Sequence, residues 1–135
     1  MATLFTRIAQ GEIPSYKVAD SEDYYAFLDI NPLVRGHVLV IPKKVEDDYI
    51  FRLDEATYAG LWAFARKVAR ALGNAVPCKR VGVAVLGMEV AHTHIHLVPL
   101  QQEGDLDFRK TRPVFTPEQM AQTAAAILSE YEKLQ

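Results

Sequence analysis

The chain has 135 residues, a length typical of one domain, and 50% of them are hydrophobic while 24% are charged. Its 15 basic and 17 acidic residues give a net charge of −2, which argues against a general binder of nucleic acids or membrane surfaces. One cysteine, Cys78, excludes an internal disulfide and a cysteine-rich zinc site, and no run approaches the ~18 apolar residues of a membrane span. The start lacks a signal-peptide pattern, so we expect a soluble, cytoplasmic protein with one domain over residues 1–135.

The first half of the chain predicts one helix, three strands and the start of a longer helix. Apolar residues at helical spacing predict a helix over residues 3–10 that Gly11 ends. The segments IPSYKVAD and DYYAFLD predict two short strands, and after the turn segment NPLVRG the run HVLVIP predicts a strand covered on both faces. An amphipathic helix is then expected from about Asp54, with Gly73 as its end.

The second half predicts two more strands and a last helix. KRVGVAVL predicts a fourth strand, GMEV a break, and AHTHIHLVPL, residues 91–100, a fifth strand. Thr116 as N-cap, Pro117 at the first position and Gln119 in a capping box predict a carboxy-terminal helix. Together these elements predict an α+β fold, an antiparallel sheet of about five strands with flanking helices.

Three histidines, His92, His94 and His96, occupy alternate positions of the fifth predicted strand and would share one face of the sheet. Neighbours would lie about 6.8 Å apart along the strand, so one zinc ion with ligands near ~2 Å would reach two of them and need a further ligand. The pattern leaves open a polar sheet face, a metal site, or a row of imidazoles around an anion. In the last case one imidazole attacks as the free base while its neighbours donate hydrogen bonds and orient it.

At this point the sequence resembles a known family. HTHIHLV resembles the histidine triad signature, His-x-His-x-His followed by two apolar residues, with Thr93 at a position that is usually apolar. FTRIAQGEIP resembles the amino-terminal segment of the Hint-like branch of the histidine triad (HIT) family, and AFLDINPLVRGHVLVIPKK resembles its ribose-binding strand and the next strand. The resemblance covers residues 4–100 and thins from Gln101 onward, so residues 101–135 are expected to form a loop and a helix. It implies a HIT-like fold and a nucleotide hydrolase or nucleotidyl transferase.

The resemblance also implies roles for individual residues. His94 would be the nucleophile that attacks the α-phosphorus of a nucleotide conjugate, and His96 would donate to the phosphate or leaving group. His92 would orient its neighbours, or only hydrogen-bond to the backbone. Asp29 would bind the ribose hydroxyls, for which a carboxylate offers two acceptor oxygens, although an aspartate that only forms a turn is the alternative. An apolar slot for the base, which could equally be core, would comprise Leu4, Phe5, Ile8, Phe27, Ile30 and Leu39.

One departure from the family pattern concerns the segment Gly87-Met88-Glu89, where many relatives have Gly-Gln-Ser or Gly-Gln-Thr. Met88 cannot donate a hydrogen bond, and an ionised Glu89 about 4 Å from a phosphate charge would be repelled by on the order of 4 kcal/mol at an effective dielectric near ~20. We therefore expect Met88 and Glu89 beside the nucleotide, with Glu89 turned aside, paired or protonated. Backbone N–H groups near Gly87 and Val90 would donate instead, and turnover of the substrates that relatives favour would be weak.

Two further features have weaker interpretations. His37 matches a family position beside the pocket and is expected to be structural. Arg109, Lys110 and Arg112 form a basic run, either a solvated loop or a segment that reaches a phosphate or a partner subunit.

The resemblance thus implies a homodimeric hydrolase or nucleotidyl transferase that acts on purine nucleoside phosphoramidates, dinucleoside polyphosphates or related conjugates. No cofactor and no resident metal are expected, although a divalent cation could accompany a polyphosphate substrate. Neither nucleic acid nor membrane is expected as a partner. Two alternatives remain: a catalytically weak nucleotide-binding or interaction protein, because of Met88 and Glu89, and a histidine-based metal enzyme.

Overall fold

The computed structural model describes residues 3–44, 47–88 and 90–135, so Glu89 and the expectations for it lie outside the described residues. The described residues form three α-helices and five strands, in the order that the sequence predicts. Short 3₁₀ turns occur at Ile50–Arg52 and Glu103–Leu106. The helices and strands are α1 (Leu4–Ala9), β1 (Lys17–Asp20), β2 (Tyr24–Leu28), β3 (Val38–Pro42), α2 (Glu55–Ala75), β4 (Arg80–Ala84), β5 (Ile95–Leu100) and α3 (Pro117–Lys133).

The five strands form one sheet in the order β1-β2-β3-β5-β4, and every neighbouring pair is antiparallel. Helices α2 and α3 pack together against one face of the sheet, while α1 covers part of the other face. This arrangement confirms the predicted α+β fold with an antiparallel sheet. Among the described residues, no helix has the length and apolar character needed to cross a membrane.

Alternate residues of the central strands enter two separate hydrophobic clusters, because successive side chains of a strand point to opposite faces. Under α2 and α3 lies the larger cluster, which includes Val38 and Val40 of β3 as well as Ile95 and Leu97 of β5. Since His96 lies between Ile95 and Leu97, its side chain faces the other side. The smaller cluster on that side comprises Phe5, Ile8, Tyr25, Phe27, Leu39 and Ile41.

The prediction that all three histidines lie in the fifth strand is wrong for His92 and His94. Strand β5 begins only at Ile95, and the preceding residues form a bend in which the His92 N–H donates to the Val90 carbonyl at 2.8 Å. The His94 side chain bonds to the backbone of this bend, and such local side-chain bonds compete with strand pairing. The alternating positions therefore do not produce an evenly spaced row of imidazoles.

The prediction that Gly73 ends the long helix is also wrong, because α2 continues to Ala75. The cap residue Val76 has extended backbone angles and precedes Pro77, whose ring disfavours the helical conformation of the residue before it. The predicted cap of the last helix is confirmed: Thr116 and Gln119 form the capping box of α3, with Pro117 as its first residue.

Candidate active site

A cavity of about 420 Å³ opens on the α1 side of the sheet, within the size range of small-molecule sites. Ile30 and Met88 lie at its rim, since they are 82% and 88% exposed. His92 is not among the lining residues, although its ring packs against one of them, Phe5. Of the residues that the sequence singled out for the site, the cavity wall contains Leu4, Phe5, Ile8, Phe27, Asp29, Ile30, Leu39, Met88, His94 and His96.

The backbone of the bend fixes the protonation pattern of the His94 ring. The Nδ1 of His94 lies 2.8 Å from the carbonyl oxygen of His92. Because a carbonyl oxygen only accepts hydrogen bonds, Nδ1 must carry the hydrogen, and the lone pair of the neutral ring is on Nε2. The ring of Phe5 packs edge-on against His94 with centroids 5.1 Å apart, so the ring is also held in place by packing. In its neutral form, the His94 ring therefore carries its lone pair on Nε2.

A chain of hydrogen bonds sets the opposite pattern in His96. The backbone N–H of Leu33 donates to Nδ1 of His37 at 3.0 Å, so the hydrogen of a neutral His37 is on Nε2. That nitrogen lies 2.9 Å from Nδ1 of His96 and donates to it. His96 must then carry its own hydrogen on Nε2. His94 and His96 are neighbours in the cavity wall, with ring centroids 5.0 Å apart. His94 thus offers a lone pair and His96 a hydrogen-bond donor.

Burial keeps His37 and His96 neutral, as this chain of hydrogen bonds requires. His37 is completely buried, and its desolvation, aided by the charges of His96 and Arg112, lowers its pKa to about 3. Desolvation is also the main reason that the pKa of His96 falls to about 4, with His94 and then Arg112 as further causes. His37 is structural in the sense that the sequence suggested, and it also sets which nitrogen of His96 can donate.

His92 ties the bend to two other elements. Its Nε2 donates to the Pro42 carbonyl at the end of β3 at 2.7 Å, and its Nδ1 accepts from the hydroxyl of Thr3 at 2.7 Å. Thr3 is also the N-cap of α1, where its oxygen accepts from the Thr6 N–H. Burial lowers the pKa of His92, in keeping with a neutral ring. The His92 ring thus bonds to the backbone and its own carbonyl accepts from the His94 ring, while a catalytic role for His92 stays a prediction.

Asp29 follows directly after β2 and lines the cavity. Its Oδ1 accepts from the Asn31 N–H at 2.9 Å, which is the turn bond that the alternative interpretation expected. Its Oδ2 lies 3.7 Å from Nε2 of His37. The turn fixes the orientation of the carboxylate in the cavity wall, so the turn role and a ligand-binding role are compatible.

The segment around Gly87 rests on the loop that contains Asp47 and Asp48. Gly87 has φ +73°, and a Cβ at this position would lie 2.9 Å from the Asp48 carbonyl oxygen, so only glycine fits without strain. The hydroxyl of Thr93 donates to the Asp47 carbonyl of the same loop. The polar residue at this usually apolar triad position therefore anchors the loop that supports the rim of the cavity.

Phe108 and Arg112 also line the cavity; the sequence assigned no role to Phe108 and left the basic run that contains Arg112 as either a solvated loop or a contact to a phosphate or partner subunit. The Phe108 ring packs edge-on against His96 with centroids 4.9 Å apart. Arg112 donates to the carbonyl oxygens of Asn31 at 2.6 Å and Phe108 at 3.2 Å. Of the basic run, Arg109 is the solvated residue, whereas Arg112 reaches the cavity of its own chain. The run of cations after the triad was the only signal in the sequence.

Among the described residues, Asp29, His37 and His96 could hold a metal ion, since each offers a ligand atom and these atoms lie within 4.8 Å of one another. Two of these atoms, Nε2 of His37 and Nδ1 of His96, already share a hydrogen bond. An ion bound by all three residues would replace that bond and remove the donor that fixes His96. In the structure the two nitrogens share a hydrogen instead of a metal ion. The expectation of no resident metal stays a prediction.

Comparison with known proteins gives the same family for sequence and fold. The family model of the HIT domain matches residues 10–103. A HIT-like protein of Azospirillum brasilense is 44% identical over 101 residues, which cover 70% of this chain and 82% of that protein. The adenosine 5'-monophosphoramidase of Schizosaccharomyces pombe is 33% identical over 105 residues, or 76% of this chain and 77% of that enzyme.

The fold has close counterparts among solved structures. The crystal structure of a hypothetical histidine triad nucleotide-binding protein from Sulfolobus tokodaii matches with a TM-score of 0.80 and 30% identity. The match covers 96% of this chain and 92% of that one. By its domain match, its relatives and its fold, the chain belongs to the histidine triad (HIT) family.

Proposed function

We propose that the protein hydrolyses purine nucleotide conjugates, such as nucleoside phosphoramidates, through a nucleotidyl-histidine formed on His94. The observation that carries this proposal is the pair of complementary ring nitrogens in one cavity wall, a lone pair on His94 Nε2 and a donor on His96 Nε2. A relative that is named an adenosine 5'-monophosphoramidase supports the choice of substrate class.

In the proposed complex, the base lies in the apolar part of the cavity, between α1 and the ends of β2 and β3. Phe5, Phe27 and Leu39 supply this surface, and they are firmly packed in the smaller hydrophobic cluster. The ribose hydroxyls donate to the carboxylate of Asp29, which is oriented by its turn bond. These two contacts place the α-phosphorus beside His94 and His96, because the apolar residues, Asp29 and the two histidines line the same cavity.

The reaction proceeds in two displacements. The lone pair of His94 Nε2 attacks the α-phosphorus, the N–P bond forms, and the bond to the leaving group breaks with its electron pair on the leaving atom. When that atom is the nitrogen of a phosphoramidate, it also takes up a proton from solvent and departs as a neutral amine. His96 Nε2–H donates a hydrogen bond to the phosphoryl or leaving group during this step. Water then attacks phosphorus and releases one proton to solvent, the N–P bond breaks, and His94 regains its lone pair as the nucleoside monophosphate is released. Such covalent catalysis replaces one difficult step by two easier ones.

The test compares wild type with His94→Asn on adenosine 5'-phosphoramidate, with release of AMP followed by chromatography. Asparagine is a matched replacement because its amide can still donate to the His92 carbonyl, while no nitrogen remains at the position of Nε2. We expect turnover by wild type and its loss in the variant, with AMP binding retained as the control for folding. Turnover that survives in His94→Asn would contradict the proposal, and binding without turnover in both proteins would favour the nucleotide-binding alternative.

We also propose that the protein is a homodimer. β4 pairs with β5 on one side, and no strand of the described residues pairs with its other side. Val83 in this strand is exposed, so a second copy could extend the sheet across a two-fold axis. Light scattering of wild type and Val83→Lys tests this: a dimeric wild type and a monomeric variant are expected, and a monomeric wild type would contradict the proposal.

A further inference from the structure

Arg112 brings a positive charge to the cavity from a part of the chain that the family match does not include. The HIT domain match ends at residue 103, while Arg112 lines the same cavity as His94 and His96. The charge also reaches both buried histidines of the donor chain, since it contributes to lowering the pKa of His37 and of His96. A phosphate beside His96 would be subject to the same charge.

The segment that carries Arg112 is built on local hydrogen bonds. Asp105 accepts from the backbone N–H groups of Gln101 at 2.8 Å and Gln102 at 3.1 Å directly after β5. Asp107 accepts from the Arg109 N–H at 2.9 Å, and the N–H of Lys110 donates to the carbonyl of Asp107 at 3.1 Å. These bonds direct the chain back toward the sheet, so that Phe108 packs against the triad.

The guanidinium of Arg112 is held in a fixed orientation with capacity left for a ligand. It donates to the carbonyl oxygens of Asn31 and Phe108, and its central carbon lies 5.8 Å from the centroid of the Phe108 ring. A guanidinium has five N–H groups, so these two bonds leave donors that can bind a further acceptor. A planar cation with several parallel donors matches the oxygens of a phosphate group.

Among the described residues that line the cavity, Arg112 is the one lysine or arginine, and the side chains of the Leu86–Met88 segment offer nothing to an anion. The Met88 side chain cannot donate a hydrogen bond and Leu86 is apolar, so this segment can offer backbone N–H groups but no side-chain charge. A substrate whose leaving group is negatively charged would therefore depend on Arg112 for charge compensation. A leaving group that departs as an uncharged amine would not.

We propose that Arg112 is the specificity-determining residue of this site and binds the phosphate of the leaving group, so that the enzyme favours conjugates in which a second phosphate follows the α-phosphorus. This inference rests on the function proposed above. In the reaction, His94 Nε2 forms a bond to the α-phosphorus and the bond to the bridging oxygen breaks. Its electron pair stays on that oxygen, which leaves as part of a phosphate group held by Arg112.

The first test measures binding and needs no turnover. Dissociation constants of AMP and ADP are determined by calorimetry for wild type, Arg112→Met and Arg112→Lys. The matched control is Arg109→Met, which removes a cation that is exposed and paired with Asp107 in the same segment. We expect wild type to bind ADP more tightly than AMP by about tenfold or more, as for a hydrogen bond between charged groups. Arg112→Met should lose this preference, Arg112→Lys should keep part of it, and the control should keep it all.

The second test uses turnover. The ratio of kcat/KM for diadenosine tetraphosphate to that for adenosine 5'-phosphoramidate should fall about tenfold or more in Arg112→Met and stay at the wild-type value in Arg109→Met. An unchanged ratio in Arg112→Met, or equal binding of AMP and ADP by wild type, would overturn the assignment of Arg112. Turnover that survives in His94→Asn would overturn the proposed mechanism but not the ADP preference. A wild type that binds neither nucleotide would overturn both.

Discussion

His37 offers the sharpest test of the hydrogen-bond chain, because two substitutions at this position separate its two bonds. In His37→Asn, the side-chain oxygen lies as many bonds from Cβ as Nδ1 does, so it can accept from the Leu33 N–H, but nothing donates to His96. In His37→Gln, the amide nitrogen corresponds to Nε2 and can still donate to His96, but the Leu33 N–H loses its acceptor. His37→Asn thus loses the bond to His96, and His37→Gln loses the bond from the Leu33 N–H.

The expected loss of activity follows from the state of His96 in His37→Asn. Without a donor, its Nδ1 is either left buried and unpaired or takes the hydrogen from Nε2, and then His96 cannot donate to the substrate. An unpaired buried polar group costs about 1–3 kcal/mol, which corresponds to a fall of about 5- to 150-fold in kcat/KM if that cost appears in the transition state. His37→Gln should retain more activity than His37→Asn.

The two variants should rank in the reverse order for stability. The N–H of Leu33 is buried, so His37→Gln should lower the free energy of unfolding by about 1–3 kcal/mol more than His37→Asn does. The assay is kcat/KM with adenosine 5'-phosphoramidate together with urea unfolding of all three proteins. Equal activity of the two variants, or higher activity in His37→Asn, would refute the assignment of the hydrogen on His96 Nε2.

Three further predictions concern stability. His37 and His96 stay neutral in the folded protein down to pKa values of about 3 and 4, while an unfolded histidine binds a proton below about pH 6.5. The unfolded state therefore gains protons as the pH falls, and the free energy of unfolding should drop by on the order of 4 kcal/mol between about pH 7.5 and pH 5. Urea unfolding at both pH values checks this, and a pH-independent value would contradict it. Gly36→Ala should destabilise by about 1–3 kcal/mol in the same assay, because Gly36 has φ +91° and a Cβ there would lie 3.1–3.3 Å from three side chains. Gly104→Ala is the control, since a Cβ at that position meets nothing within 4 Å. Thr93→Val should cost about 1 kcal/mol through the lost bond to the supporting loop, and an unchanged stability would show that this bond contributes nothing.

Periodicity and turn residues were sufficient to predict the helices, the strands and the fold class, because these signals act locally; the order of the strands in the sheet was not predicted. The continuous apolar run of β3 reflects a strand with a hydrophobic cluster on each face, and the Thr116 cap is a short-range motif. The end of α2 was misjudged because the restriction imposed by Pro77 on Val76 decided it, rather than the flexibility of Gly73.

The resemblance predicted which residues of the candidate site to group together, but not the local backbone that presents them. Asp29, His94 and His96, which the resemblance groups in one site, line one cavity, and the roles that the resemblance implies for them stay predictions. The position of Arg112 could not be foreseen, since its contacts with Asn31 and Phe108 depend on how the segment after β5 folds back. The bend before β5 was missed for a related reason: hydrogen bonds from the His94 and Thr93 side chains to backbone carbonyls compete with strand pairing there.

The central claim, a covalent nucleotide on His94, is tested most directly by trapping it. Wild type is mixed with adenosine 5'-phosphoramidate, quenched within the first turnovers, and examined by mass spectrometry of the intact protein and of its peptides. We predict an adduct with the mass of one adenylyl group on the peptide that contains His94, and none in His94→Asn. An adduct on another residue, or rapid turnover with no adduct at any quench time, would contradict the account.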